Sequence, residues 1–186
     1  MTIKSIENLA SAYDAMGMLP IHANVSAPTA ASIARINDML GIALPESLIL
    51  FATKSSACSS WLAGLGEDYA SPNHILQINK RANKIRRRMI GDAGKWEAVK
   101  PKNFVVFNLG FDHDYNCFDA AQFDASISEY TIQYWCPPRI TGTITYPSFY
   151  AYMEAQIRDW ANHNKRAGGL KVLALLDDTP TSKAES

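Results

Sequence analysis

The sequence predicts an α+β fold in which an antiparallel sheet packs against helices. Three observations carry that reading. Up to about residue 90, apolar residues recur at helical spacing. Between Phe104 and Trp135 they form strand-like runs, and helical spacing returns after Pro147. Alternating strand–helix–strand units are absent, which argues against a parallel, doubly wound sheet.

Each element has a local reason. Ile6, Leu9, Tyr13 and Met16 share one face of a first helix. A second spans Ala30 to Leu40, with Ile33, Ile36 and Leu40 on its stripe and Gly41 suited to end it. Leu44-Pro45-Glu46 begins a third. Proline fits the first helical position, whose N–H has no intrahelical partner. Glu46 suits the positive end of the helix dipole. Ser55 to Ser71, rich in Ser, Gly and Ala, reads as a loop. Pro72 to Ile90 reads as a fourth helix, with Ile75, Ile78, Ala82, Ile85 and Met89 on one stripe and Gly91 and Gly94 at its end.

Phe104 to Leu109 is mostly apolar and reads as a central strand. Tyr115 to Asp119 and Tyr130 to Cys136 are further strands. In the last, Tyr130, Ile132, Tyr134 and Cys136 face one way, and Thr131, Gln133 and Trp135 the other. Pro137-Pro138 stops it, because proline cannot donate to a ladder. Pro147 opens a closing helix striped by Phe149, Met153, Ile157 and Trp160. The expected organisation is an N-terminal extension over 1–26, a single domain over 27–160 and a C-terminal tail over 161–186. Within the tail, Lys165 to Leu176 reads as a short appendage and Asp177 to Ser186 as a polar end.

The totals narrow the class. With 186 residues, 47% hydrophobic and 19% charged, the chain fits one ordinary globular domain. Its 18 basic and 18 acidic residues cancel, so overall charge favours neither nucleic acid nor an anionic membrane. No run of about 18 apolar residues indicates a membrane span, and the first residues show no secretory signal. Cys58, Cys117 and Cys136 form no C-x-x-C motif, which argues against a disulfide framework or zinc ribbon and suits the cytoplasm.

Charge is unevenly placed, however. Lys80, Arg81, Lys84, Arg86, Arg87 and Arg88 crowd the fourth helix. Asp112, Asp114, Asp119, Asp124 and Glu129 fall between Asn103 and Cys136, where Lys and Arg are absent. The basic run reads as a solvated helix face or, alternatively, as a contact for nucleic acid or a small ligand. The acidic run reads as a solvated turn or as a face that steers a basic partner. Tyr115, Phe118, Tyr130, Tyr134 and Trp135 interleave with these acids and fit a sheet core and an interface equally well.

Chemistry-bearing patterns are weak. Asp112-His113-Asp114-Tyr115-Asn116 resembles the start of a calcium loop. It then places Cys117 where glycine is needed and Phe123 where a bidentate Glu is needed. A polar turn is the simpler reading. His113 could act as base to Cys117 or Cys136, but cysteines inside strands usually serve as small hydrophobes. His22, His74 and His163 show no metal-ligand spacing, and Gly64-Leu65-Gly66 lacks the third glycine of a nucleotide loop. The expectation is a protein that is not an enzyme, with no cofactor and no metal.

The order of several short pieces resembles the SUKH superfamily, which includes yeast cell-wall-synthesis regulators and many bacterial toxin-immunity proteins. These pieces are Ile36 to Gly41, Leu44-Pro45 to Phe51, Phe104 to Leu109, Gly110-Phe111-Asp112, Cys117-Phe118-Asp119, Tyr134-Trp135 and Ser148 to Met153. The resemblance spans roughly Ala27 to Trp160. It departs from the family where Ser55-Ser56-Ala57-Cys58 replaces an Asn-Gly pair and where His113 replaces the common aromatic near the turn. It implies a SUKH-like single domain that binds a cognate protein toxin, often a nuclease, and blocks it by occlusion. On this expectation a basic toxin meets Asp112, Asp114, Tyr115, Asp119 and Trp135.

Overall fold

The second helix begins and ends where side chains and a glycine satisfy its free backbone groups. The computed structural model describes residues 3–17, 28–55, 74–91, 103–109, 115–135 and 145–177. Helix α1 is Ile3–Ala15 and α2 is Ala30–Leu40. Thr29 Oγ1 accepts from the Ser32 N–H at 3.1 Å, and Ser32 Oγ accepts from the Thr29 N–H at 2.9 Å. This reciprocal capping box fixes the start of α2. Gly41, at φ 71°, donates its N–H to Asn37 O at 2.8 Å and closes the helix. That left-handed position is open to glycine at no steric cost. Asn37 Oδ1 then accepts from the Leu44 N–H at 2.9 Å and directs the chain into α3, Glu46–Lys54. Pro45 precedes α3 rather than opening it, since its φ of −60° and ψ of 142° are extended.

Helix α4 is His74–Gly91, ending at the first expected glycine. Gly94 and the Ser56–Ser71 part of the expected loop lie outside the described residues. Four strands follow: β1 (Phe104–Leu109), β2 (Tyr115–Asp124), β3 (Glu129–Trp135) and β4 (Thr145–Tyr146). They pair antiparallel in the order β1-β2-β3-β4. With α5 (Phe149–His163) and α6 (Gly169–Asp177) this completes an α+β domain. Among the described residues, no helix is long and apolar enough to cross a membrane.

The apolar run of β1 marks an edge strand and not the central one expected. It is apolar because both of its faces are covered. Val105 and Phe107 join Phe118, Tyr130 and Ile132 in a core shared with α1, α3, α5 and α6. Phe104 and Val106 join Tyr115, Cys117 and Trp135 against Ile78, Ala82 and Ile85 of α4. Strand alternation alone sorts these residues between two layers. On β3, Tyr130 and Ile132 go to the first core and Trp135 to the second, as their spacing requires.

Aromatic rings connect the main core across the chain. Phe107 stacks on Phe118 with centroids 4.5 Å apart and meets Phe149 and Tyr152 edge-on at 5.6 and 5.3 Å. Phe149 meets Phe51 at 5.6 Å, and Phe51 meets Tyr13 at 5.5 Å. Each such pair adds about 0.5–1.5 kcal/mol beyond area burial. Burial raises the Tyr152 phenol to about 12, while its oxygen accepts from Asn108 Nδ2 at 3.4 Å.

Both termini of the described chain belong to this core. Ile6, Leu9, Ala10 and Ala12 of α1 are buried in it, as are Val172 and Leu176 of α6. The expected extension and appendage are therefore parts of the domain. Their apolar stripes are short, and they cover each other and α5 rather than the sheet. Arg158 on α5 ties them further, reaching Asp177 at 3.0 Å. Residues 178–186 lie outside the described residues.

One polar side chain docks α4. Asn79, 7% exposed, occupies the apolar stripe beside Ile75, Ile78 and Ala82. Its Nδ2 donates to Val106 O at 2.6 Å and Ile75 O at 2.9 Å, while its Oδ1 accepts from the Val106 N–H at 2.9 Å. The amide thus pairs with the free edge of β1 as a neighbouring strand would. Asn79→Ala leaves the Val106 backbone groups without their partner. It should cost about 2–3 kcal/mol in urea unfolding, and Asn79→Leu should not restore that loss.

Candidate functional site: a basic groove

Helix α4 carries no acidic residue from His74 to Gly91. Burying Ile75, Ile78, Asn79 and Ala82 on the sheet side turns the cations outward: Lys80, Arg81, Lys84, Arg87 and Arg88 are exposed and Arg86 is half-buried. Lys80, Arg81, Lys84 and Arg87 line a groove of about 670 Å³, with Gln77 and Ile78 on its wall and Tyr115 at its base. Arg86 and Arg88 do not line it. Lys80, Lys84 and Arg87 are spaced i, i+4, i+7, so their charges are neighbours on one helix face. Like charges at such spacings cost a few tenths of a kcal/mol per pair. Among the described residues, Lys80, Arg81 and Lys84 form no ion pair, and the Arg87 Nε–H donates only to Asn83 O, at 3.3 Å.

Tyr115 belongs to the groove because of its place on β2. It opens the strand, faces α4 and pairs in register with Trp135 on β3. The two rings stack with centroids 4.9 Å apart, and both residues are fully buried. Among the described residues, Tyr115 Oη and Trp135 Nε1 have no hydrogen-bond partner. Burial raises the Tyr115 phenol above its ordinary value, the Arg81 charge pulls it back, and the Cys117 thiol adds slightly to the rise.

Among the described residues, Asp119, Glu129, Tyr115 and Trp135 are interior and do not form the acidic face that the sequence implied. Asp112 and Asp114 lie outside the described residues. Tyr115 and Trp135 are interior residues, because alternation on β2 and β3 sends them beneath α4. Asp119, 5% exposed, turns inward where the ladder breaks between Phe118 and Phe123. Its Oδ1 accepts from Asn103 Nδ2 and from the Ala121 N–H at 3.1 Å, and its Oδ2 accepts from Gln122 Nε2 at 2.7 Å. These bonds fasten the start of β1 to the middle of β2. Asp119→Ala should therefore lower unfolding stability by about 1–3 kcal/mol by leaving these donors unpaired. The reading to check is a shift in the urea midpoint.

Glu129 is also interior, at 1% exposure. Its Oε2 accepts from the Phe149 N–H, the first of α5, at 3.1 Å. The amide and hydroxyl of Ser47, in the first turn of α3, face the same carboxylate and lower its pKa. Ser47 Oγ and Glu129 Oε1 nevertheless stop short of hydrogen-bond contact, and each is left without a partner. Burial dominates and raises the carboxyl above its ordinary value, with Glu46 adding to the rise. A raised folded pKa favours folding below the unfolded value of about 4.3, and that contribution is lost as pH rises through the folded value. Glu129→Gln removes this slope while keeping an acceptor for Phe149. Between about pH 4 and pH 7 its unfolding free energy should rise relative to that of the parent protein, measured by denaturant titration at each pH.

Of the acidic set, Asp124 alone is exposed among the described residues, accepting from Ser126 N–H and Oγ at 2.9 and 2.6 Å in the β2–β3 turn. Those bonds lower its pKa. Cys117 is buried in the second core; His113 and Cys136 lie outside the described residues. Among the described residues, no group of three His, Cys, Asp or Glu side chains could hold a metal. Sequence reasoning missed Asn79, for which a lone Asn within an apolar helical stripe was the signal, and counted Glu129 only among the acids of the expected face.

No family model, curated protein or solved structure matches this chain. The fold and the groove therefore define the class directly: an α+β domain with a basic groove between one helix and the end of a buried strand.

Proposed function

We propose that this chain works by binding, as an immunity-type module that blocks a protein partner by forming a complex with it. The observation that carries the reading is the set of cations in the α4 groove, which no described acid neutralises. The inferred contact surface is therefore the basic groove, and the partner offers acidic groups to it. This reverses the charge expected of the partner. The immunity role itself rests on the SUKH resemblance. Leu44, Leu48, Phe51, Phe107, Phe118, Phe149 and Tyr152, which fall within the pieces that carry that resemblance, lie together in the main core. They specify a scaffold and leave the surface free to choose the partner.

A second reading is favoured by the same groove. Four cations along about 10 Å of helix also suit a phosphate backbone, so a nucleic acid could occupy it.

The test is capture from native cells with tagged protein, at low and moderate salt, beside a Lys80→Glu, Arg81→Glu, Lys84→Glu variant of unchanged circular dichroism. The expected result is one stoichiometric protein, weakened by salt and lost from the variant. Equal capture by the variant would remove the groove as the contact surface. Nuclease-sensitive capture of nucleic acid in place of protein would establish the second reading.

A further inference from the structure

We propose that the base of the groove is an oxyanion subsite, where Tyr115 Oη and the Arg81 guanidinium hold one phosphoryl or carboxylate group with Lys84 beside them. This rests on the reading of the groove as a binding surface and names the chemistry that it takes.

Two independent observations converge. The first is charge: Lys80, Arg81, Lys84 and Arg87 surround one concavity, and the helix that carries them has no acid. A basic helix face alone would be solvated and would need no ligand. The second is an unmet donor. Tyr115 is fully buried and lines the groove, and among the described residues its hydroxyl has no hydrogen-bond partner. Such a group destabilises the fold when it stays unpaired. The indole N–H of the stacked Trp135 is likewise unpaired among the described residues. Phenylalanine would fill the Tyr115 position without that cost. An anion supplies what is missing on both counts, accepting from the phenol O–H and neutralising the cations. Arginine adds a planar fork suited to two oxygens of one group.

The experiment titrates inorganic phosphate and, separately, acetate into the full chain at constant ionic strength set with sodium chloride. Binding is read from the melting temperature and from the indole N–H signal of Trp135 in NMR. The parent protein should show a saturable rise in melting temperature with at least one of the anions. Phosphate alone would assign the subsite to phosphoryl groups and acetate alone to carboxylates. Tyr115→Phe should fold at least as stably in chloride and bind the anion about tenfold more weakly, the loss of one charge-assisted hydrogen bond. Arg81→Ala should abolish saturation, and Lys171→Ala on α6 should change nothing.

The proposal is overturned if Tyr115→Phe binds as the parent does, or if melting temperature follows ionic strength alone. It is also overturned if Tyr115→Phe melts lower in chloride and binds the anion unchanged, which would mean that a buried water satisfies the hydroxyl. Partner capture separates the two levels. If Tyr115→Phe keeps its partner while the triple-Glu variant loses it, the groove stands and the subsite falls.

Discussion

The pairing of the Asn79 amide with the Val106 backbone sets the position of everything on the α4 side of the sheet. Strand β1 lies at the edge of the sheet, so its outward backbone groups need partners. A second strand would satisfy them but would cover no face. Helix α4 does both, since Asn79 meets the edge while Ile78 and Ala82 cover Phe104, Val106 and Tyr115. With the helix fixed in rotation by a hydrogen-bonded amide, its cations have a defined relation to the strand beneath. The groove follows from that relation.

The same logic explains why Asp119 and Glu129 do not lie on a surface face. A carboxylate near a helix start or an irregular strand meets free N–H groups there. Glu129 is drawn to the starts of α3 and α5, and Asp119 to the kink in β2. Both become internal fasteners. Glu129 is the more costly of the two, because burial opposes its charge and only part of its acceptor capacity is met. It stays because α3, β3 and α5 converge on it, and moving the carboxylate out would leave the Phe149 N–H unpaired.

Local signals made most of the fold legible. The α2 stop at Gly41, the α4 stop at Gly91 and the alternation of Tyr130, Ile132 and Trp135 all depend on neighbours in sequence. What was not legible depends on distant contacts. β1 looked central because a strand covered on both faces carries the same apolar run as one flanked by two strands. α6 looked like an appendage because its stripe is short and its cover, α1, lies at the other end of the chain. At the site, the basic helix was readable from composition. Its partner in the groove was not, since Tyr115 could have pointed to either side of β2 until Trp135 and α4 fixed its direction.

Charge in this molecule is therefore sorted by burial as much as by sequence. Acids and bases are equal in number, yet the described surface does not inherit that balance evenly. Asp119 and Glu129 turn their carboxylates to side-chain amides and backbone N–H groups inside the domain and leave the surface to the cations. The cations of α4 cannot be withdrawn in the same way. The long side chains of Lys80, Arg81, Lys84 and Arg87 on the outward face of the docked helix remain in water, and the like charges beside them disfavour pairing within the helix. A chain with zero net charge can thus present a groove whose described charges are all positive, and a local field of that kind steers association more than the total charge does.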